Sequence, residues 1–134
     1  MKGIADTGFL VAFANARDIH HRWAMSIAQQ VTDPLLTCEA VLAETAFHLG
    51  SVPLVLKMIE TGLVRSDFQC EKHLPHLADL AERYRGRSPD LADLCLIRLS
   101  ELHPNHTVLT IDRADFAIYR RNKREAIPLC TPPG

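Results

Sequence analysis

The chain has 134 residues, of which 47% are hydrophobic and 23% are charged, and its formal net charge is −1. This balance fits a folded protein with one hydrophobic core, so we expect a single domain over residues 1–134. A net charge near zero argues against a protein that holds nucleic acid by its overall charge alone.

The first half of the chain alternates short apolar runs with segments of helical period. Its beginning, Met1-Lys2-Gly3-Ile4-Ala5-Asp6, resembles neither a secretory signal nor a membrane span, so we expect a cytoplasmic protein. The predicted elements are a strand over residues 2–6, a helix from Thr7, a helix that Asp18 caps and that ends before Asp33-Pro34, a strand at Leu35-Leu36, and a helix that Thr37 caps and that ends at Leu49 before Gly50.

The second half of the chain repeats this alternation. Its predicted elements are a helix over residues 52–61 that Gly62 ends, a strand at Leu63-Val64, a helix over 74–84, a helix from Ser88-Pro89 to Leu102, a strand over 107–110, a short helix over 115–119, and an edge strand at Ile127-Pro128-Leu129. Strands that alternate with helices predict a parallel sheet covered by helices on both faces.

Acidic residues lie where the apolar segments end. Asp6 closes the first strand, Glu44 lies in the third helix, Asp90 and Asp93 open a later helix, and Asp112 follows the fourth strand. Because the carboxyl ends of parallel strands meet at one edge of a sheet, we expect these carboxylates to converge there. Carboxylates that converge without a cation repel one another, so the pattern predicts a bound divalent ion and indicates a metal-dependent hydrolase.

Each acid also has a purely structural interpretation. Asp6 could be only an N-cap, and Asp90 and Asp93 lie in a first helical turn, where the helix dipole favours anions. Glu44 alone would be a carboxylate on a helix surface. The order and placement of all the acids together favour the metal site.

Five basic residues crowd the last quarter of the chain, namely Arg113, Arg120, Arg121, Lys123 and Arg124. Beside an acidic, metal-binding site they could hold the phosphate backbone of a polyanionic substrate. A solvated helix face explains such a run of charges equally well, and both interpretations stay open.

Other residue patterns favour no competing chemistry. The four cysteines lie far apart and are interpreted as reduced, mostly buried thiols. An aspartyl phosphatase needs a second Asp two residues after Asp6, where this chain has Gly8. His103 and His106 have no further histidine or cysteine beside them that would complete a zinc site.

Taken in order, the acidic motifs resemble the signature of PIN domains, especially the VapC-type toxins. The resemblance covers essentially the whole chain, and its motifs are Ile4-Ala5-Asp6-Thr7, Asp18-Ile19-His20-His21-Arg22-Trp23-Ala24, Val41-Leu42-Ala43-Glu44-Thr45, Asp90-Leu91-Ala92-Asp93-Leu94 and Leu109-Thr110-Ile111-Asp112-Arg113-Ala114-Asp115-Phe116. It implies a three-layer α/β/α sandwich with a central, mostly parallel sheet of four to five strands. It also implies a metal-dependent ribonuclease, the toxin of a type II toxin–antitoxin system, with a VapB-like antitoxin as partner.

By this resemblance, Asp6, Glu44 and Asp93 take the three main acidic places of the family, and Asp112 takes the more variable fourth place. Additional candidate residues are Thr7, Asp90, Thr110 and Asp115, the last of which we expect to cap the short helix rather than to bind metal.

The predicted cofactor is Mg²⁺ or Mn²⁺, because both prefer oxygen ligands and keep open positions for water and phosphate. We expect Asp6 and Asp93 to bind the cation, and Glu44 to hold or deprotonate a water. Asp112 would complete a second, weaker metal position. A homodimer is expected if the apolar helix over residues 52–59 keeps a free face, although a core role would explain that face equally well. The alternative function is a catalytically weak PIN-like module that binds nucleic acid or protein.

Overall fold

The computed structural model of the protein describes all 134 residues. In the first half of the chain, the elements are β1 (Gly3–Ala5), α1 (Thr7–Ala14), α2 (His21–Gln30), β2 (Leu35–Thr37), α3 (Glu39–Leu49) and α4 (Val52–Glu60). In the second half they are β3 (Val64–Ser66), α5 (Leu74–Arg83), α6 (Leu91–Leu102), β4 (Thr107–Leu109), α7 (Arg113–Phe116), β5 (Arg120–Arg121), β6 (Glu125–Ala126) and β7 (Leu129–Cys130). Two 3-10 turns, Cys70–Lys72 and Arg85–Arg87, flank α5.

Five strands form one parallel sheet in the order β3-β2-β1-β4-β7. The central strand β1 places Ile4 opposite Leu36 of β2 and opposite Val108 of β4. Strands β5 and β6 form a separate antiparallel hairpin. The predicted α/β class, with a parallel sheet in a three-layer α/β/α sandwich, is therefore confirmed, and the sheet has five strands.

The hydrophobic core surrounds the central strands. Strands β1 and β2 are buried along their whole length, as expected for a parallel sheet covered on both faces. Helix α1 packs against α2 and α3, whereas α6 packs against α5 and contacts β1 and β4. The 29 buried hydrophobic residues form one cluster. None of the helices has the length and apolar character needed to cross a membrane.

Two helix starts near the sheet edge differ from the sequence predictions. Helix α3 begins after Cys38, whereas the predicted cap Thr37 instead donates a hydrogen bond of 2.8 Å to the carbonyl oxygen of Ala5. Helix α6 is capped by Asp90, whose side chain accepts from a backbone amide of the first turn. The predicted cap Ser88 is wrong, because its backbone is left-handed, with φ of 46°.

The starts of α2 and α7 also differ. Asp18 accepts a hydrogen bond of 2.8 Å from the amide of His20, so it orders the turn before α2 without capping the helix itself. Helix α7 is capped by Asp112, which accepts from the amide of Asp115 at 3.0 Å. The prediction that Asp115 caps this helix was therefore wrong, because Asp115 lies inside its first turn.

Candidate active site

A cavity of about 580 Å³ opens at the carboxyl edge of the sheet, beside the ends of β1 and β4. One arginine, Arg87, and one histidine, His48, line it. The other charged residues of its lining are seven acids, Asp6, Asp18, Glu44, Asp90, Asp93, Asp112 and Asp115. The structure thus brings all four predicted catalytic acids to one cavity, together with the additional candidates Asp90 and Asp115.

Asp6 is fixed by hydrogen bonds to both of its carboxylate oxygens. It follows β1 directly and caps α1, so one oxygen accepts from the amide of Thr7 at 2.7 Å. The other oxygen accepts from the hydroxyl of Thr110, just after β4, at 2.6 Å. Because the side chain is only 8% exposed, these two contacts hold the carboxylate in one orientation at the edge of the sheet.

Glu44 reaches the cavity from the second turn of α3. Its Oε1 accepts a hydrogen bond of 2.7 Å from the hydroxyl of Thr7, at the start of α1. Thr7 therefore uses its amide for Asp6 and its hydroxyl for Glu44. This double contact couples the positions of two predicted acids that lie far apart in the sequence.

Asp93 lies in the first turn of α6 and is held by a tyrosine. The phenol of Tyr119 donates to Asp93 Oδ2 at 3.0 Å, and the amide of Asp93 donates to Asp90 Oδ1 at 2.9 Å. Burial, followed by the neighbouring carboxylate of Asp93, raises the pKa of Tyr119, so the phenol stays protonated and able to donate. Asp90 therefore acts as the helix cap beside the site.

Asp112 is connected to the same network by Thr110. The amide of Asp112 donates to the Thr110 hydroxyl oxygen at 2.9 Å, while that hydroxyl donates to Asp6. Asp115 points towards Arg87 instead, in an ion pair of 2.7 Å. Burial, followed by repulsion from Asp115, raises the pKa of Asp112, whereas the hydrogen bond from Arg87 lowers the pKa of Asp115. The two acids after β4 therefore lie in different electrostatic environments.

The pKa of Asp6 is raised to about 6, mainly because burial disfavours its charged form. The hydrogen bonds from Thr110 and Thr7 oppose this shift, and repulsion from Asp112 and Glu44 adds to it. A fraction of Asp6 is therefore protonated in mildly acidic solution when no cation is bound.

The pKa of Asp93 is raised to about 7, and burial is again the largest cause. The next cause is repulsion from Asp90, whereas the hydrogen bond from Tyr119 acts in the opposite direction. A buried acid and a partly buried acid with raised pKa values in one cavity are typical of a functional site.

The chemistry of these side chains suits a hard divalent cation, since every predicted ligand offers carboxylate oxygen. In the observed arrangement, no three acidic, histidine or cysteine side chains lie close enough together to hold a metal ion. Loading a cation would therefore require Asp6, Asp93 and their neighbours to draw closer around it.

The five basic residues predicted to bind RNA do not line the acidic cavity. Arg121 is only 4% exposed, and its guanidinium binds Ser100 and Glu125. Arg120 donates to backbone carbonyls after α7, and Arg113 binds the C-terminal segment. Because Arg121 is turned inward and paired, we remove it from the set that could contact RNA.

Lys123 and Arg124 are the exposed members of this basic set with no hydrogen-bond or ion-pair partner within the chain. They lie in the turn between β5 and β6, where Lys123 has a positive φ of 71°. The structure therefore places these two cations on a hairpin outside the acidic cavity.

The residues of the cavity that the sequence predictions did not assign to the site include Arg87, Tyr119 and His48. Arg87 and Tyr119 contact Asp115 and Asp93, and His48 lies one helical turn after Glu44. For Arg87, a usable signal was its place directly before the acidic segment 88–93. Tyr119 gave no such signal, because its partner is 26 residues away in the sequence.

In comparisons with known proteins, no protein-family model matches the chain, and no curated protein matches its sequence. The resemblance to PIN domains therefore rests on the order of the motifs in this chain.

Proposed function

We propose that the protein is a Mg²⁺- or Mn²⁺-dependent endoribonuclease of the PIN-domain type, acting in the cytoplasm as the toxin of a type II toxin–antitoxin system. The observation that carries this proposal is the convergence of Asp6, Glu44, Asp93 and Asp112 on one cavity. The raised pKa values of Asp6 and Asp93 support it, because burial and repulsion between carboxylates disfavour their charged forms and a bound cation would offset that cost.

Asp6, Asp93 and Asp112 are the residues that would hold the cation. When bound, Mg²⁺ or Mn²⁺ would acidify a coordinated water and offset the charge that develops on a phosphate. Thr110 orients Asp6, and Tyr119 orients Asp93, so both carboxylates have a fixed orientation, and only their separation would need to shorten when a cation binds. This ordering lowers the entropy lost on binding.

Glu44 is the residue we assign to proton transfer. Its Oε1 is held by the hydroxyl of Thr7, which leaves Oε2 free of side-chain and backbone donors. A carboxylate fixed at one oxygen can accept the proton of the attacking water through the other. Arg87 adds a positive charge to the rim of the cavity, where it could attract the phosphate of RNA.

The proposal includes two protein partners, a second copy of the chain and a VapB-like antitoxin. It is supported by exposed apolar side chains on the end of α3 and on α4, which are Phe47, Val52, Leu54, Leu56 and Ile59. The sequence predicts an apolar helix over residues 52–59, and its exposed side chains are available for protein contacts.

An RNA cleavage assay tests the proposed activity. Total RNA is incubated with the purified chain and Mn²⁺ or Mg²⁺, and new RNA ends are mapped by sequencing. We expect cleavage that EDTA stops, that Asp6→Asn and Asp93→Asn abolish, and that Glu44→Gln lowers about a hundredfold or more. Asp33→Asn, which removes an exposed acid outside the cavity, is the matched control and should cleave as the parent does.

The second candidate function is a PIN-like module that binds RNA or protein without cleaving. The observation that favours it is that no three acidic, histidine or cysteine side chains lie close enough together to hold a metal ion. The protein would belong to this second class if the folded parent chain binds RNA but cleaves it at no site when Mn²⁺ or Mg²⁺ is present.

A further inference from the structure

Three of the four cysteines meet in a second cavity, separate from the acidic one. This cavity has a volume of about 600 Å³, and Cys38, Cys70 and Cys95 line it. The sulfur atoms of Cys70 and Cys95 lie 3.6 Å apart, and Cys38 lines the same cavity. The fold therefore gathers thiols that the sequence spaces far apart.

The three thiols come from elements of different rigidity. Cys38 precedes α3 and Cys95 lies in the second turn of α6, and both are almost completely buried. Cys70 begins the short 3-10 turn between β3 and α5 and is partly exposed. A single 3-10 turn has weak hydrogen-bond geometry, so Cys70 is the thiol best able both to meet a solute and to move.

Simple packing of small apolar side chains would explain the two buried thiols, but it does not require Cys70. A disulfide has a sulfur–sulfur distance of about 2.05 Å, so the Cys70 and Cys95 sulfurs need to approach by about 1.5 Å. Cys70 lies in a three-residue turn outside the sheet, so we expect this turn, rather than α6 or the sheet, to supply the shift.

We propose that Cys70 and Cys95 form a modification site, a thiol pair that hydrogen peroxide oxidises to a disulfide. In the first step, the Cys70 sulfur attacks a peroxide oxygen and breaks the O–O bond, which gives the Cys70 sulfenic acid and water. In the second step, the Cys95 sulfur displaces the hydroxyl group from Cys70. The thiol proton leaves with that hydroxyl as a second water. The two sulfurs lose two electrons in total, and the peroxide gains them.

Cys38 is not the thiol that meets the oxidant. The hydrogen bond from Cys95, followed by the amides of Val41 and Ala40, lowers the pKa of Cys38, which favours its thiolate. Cys38 is nevertheless only 1% exposed, so a peroxide reaches Cys70 first. The disulfide forms whether or not the acidic cavity binds a metal, so this site stands independently of the proposed ribonuclease activity.

Tryptic peptides give a direct test, since cleavage after lysine and arginine separates every cysteine. Cys38, Cys70, Cys95 and Cys130 fall in the peptides 23–57, 66–72, 88–98 and 125–134. The full chain is treated with hydrogen peroxide, its remaining thiols are alkylated, and the unreduced digest is analysed by mass spectrometry. We expect the peptides 66–72 and 88–98 to be joined, with loss of two hydrogens, and to separate after dithiothreitol.

Variants identify the pair. Cys70→Ser changes a partly exposed position, so the chain should stay folded by circular dichroism and lose the cross-link. Cys95→Ala should lose it as well, whereas Cys130→Ser is the matched control and should keep it. The proposal is overturned if peptides 66–72 and 88–98 are not joined in the peroxide-treated parent. It is also overturned if the joined pair contains peptide 23–57 or 125–134 instead.

Discussion

Two threonine hydroxyls order the carboxylates of the acidic cavity. Thr7 donates to Glu44, while Thr110 donates to Asp6 and accepts from the amide of Asp112. Each hydroxyl thus joins two segments that lie far apart in the sequence. Charge-assisted hydrogen bonds of this kind stabilise the ionised carboxylates, but burial remains the larger effect on Asp6, whose pKa is raised to about 6.

The first prediction concerns the pH dependence of stability without metal. The pKa of Asp6 rises from 3.8 to about 6 on folding, and that of Asp93 to about 7. The folded state therefore holds more protons than the unfolded state across this range, and these two groups destabilise it as the pH rises from about 4 to 7. For Asp6 the full loss is at most on the order of 3 kcal/mol.

Melting temperatures measured in EDTA between pH 5 and pH 8 test whether these two carboxylates destabilise the folded state as the pH rises. Relative to the parent, Asp6→Asn and Asp93→Asn should become more stable as the pH rises, because an amide has no charge to bury. Asp33→Asn should follow the parent at every pH. Parallel curves for all four proteins would show that the two carboxylates ionise freely in the folded state.

The second prediction separates the two acids after β4. Asp112→Ala should lower the free energy of unfolding by about 1 kcal/mol, because it removes the cap of α7, whereas Asp112→Asn keeps an accepting oxygen and should stay within a few tenths. Asp115→Asn breaks only a partly exposed ion pair with Arg87 and should have a similarly small effect. Urea unfolding measures the free energy of unfolding of all three variants. If Asp112→Ala and Asp112→Asn lower it equally, Asp112 does not stabilise α7 as its cap.

At the scale of elements, the sequence predicted most helices and strands but few of their caps. The helix ending at Leu49 was predicted because Gly50 can adopt the left-handed backbone, and its φ is 65°. The start of α6 was missed because Ser88 and Asp90 are both good caps, and only the backbone of the preceding turn decides between them. Strands β5 and β6 were missed because two residues show no period.

The third prediction tests the end of α3, which carries Glu44. Gly50→Ala should lower the free energy of unfolding by about 1 kcal/mol, since a Cβ is strained at positive φ, and Gly50→Asn should lower it less. Gly86→Ala is the matched control, because Gly86 has open space around it and no positive φ. Thermal unfolding compares the stability of the three variants. If Gly86→Ala destabilises the protein as much as Gly50→Ala does, the positive φ at Gly50 is not the cause of the loss.

The fourth prediction concerns the hairpin between β5 and β6. If Lys123 and Arg124 contact RNA, Lys123→Asn with Arg124→Gln should weaken RNA binding and lower the slope of log affinity against log salt by about one for each lost phosphate contact. Asparagine suits the positive φ at position 123, so the turn should stay intact. The control is Lys57→Gln with Arg65→Gln, which removes the same charge from other exposed sites. If both double variants change RNA affinity and its salt dependence equally, the hairpin has no specific role in RNA binding.

At the scale of the whole molecule, the parallel sheet explains why scattered acids could be assigned to one site. Asp6 and Asp112 follow β1 and β4, which are hydrogen-bonded neighbours in the sheet. The carboxyl-edge rule for parallel strands was enough to predict that these acids converge, although the strand order itself was not predicted. The rule could not predict Arg87 or Tyr119, because they reach the cavity from a turn and a loop whose paths depend on tertiary packing.

The central claim is that Asp6 and Asp93 share one divalent cation, and calorimetric titration with Mn²⁺ at pH 6 and pH 8 tests it most directly. We predict binding that tightens from pH 6 to pH 8, because the cation competes with protons at carboxylates whose pKa values are about 6 and 7. Asp6→Asn and Asp93→Asn should lose it, and Asp33→Asn should retain it. Equal Mn²⁺ affinity in all four proteins, or no binding by the folded parent chain at pH 8, would contradict the account.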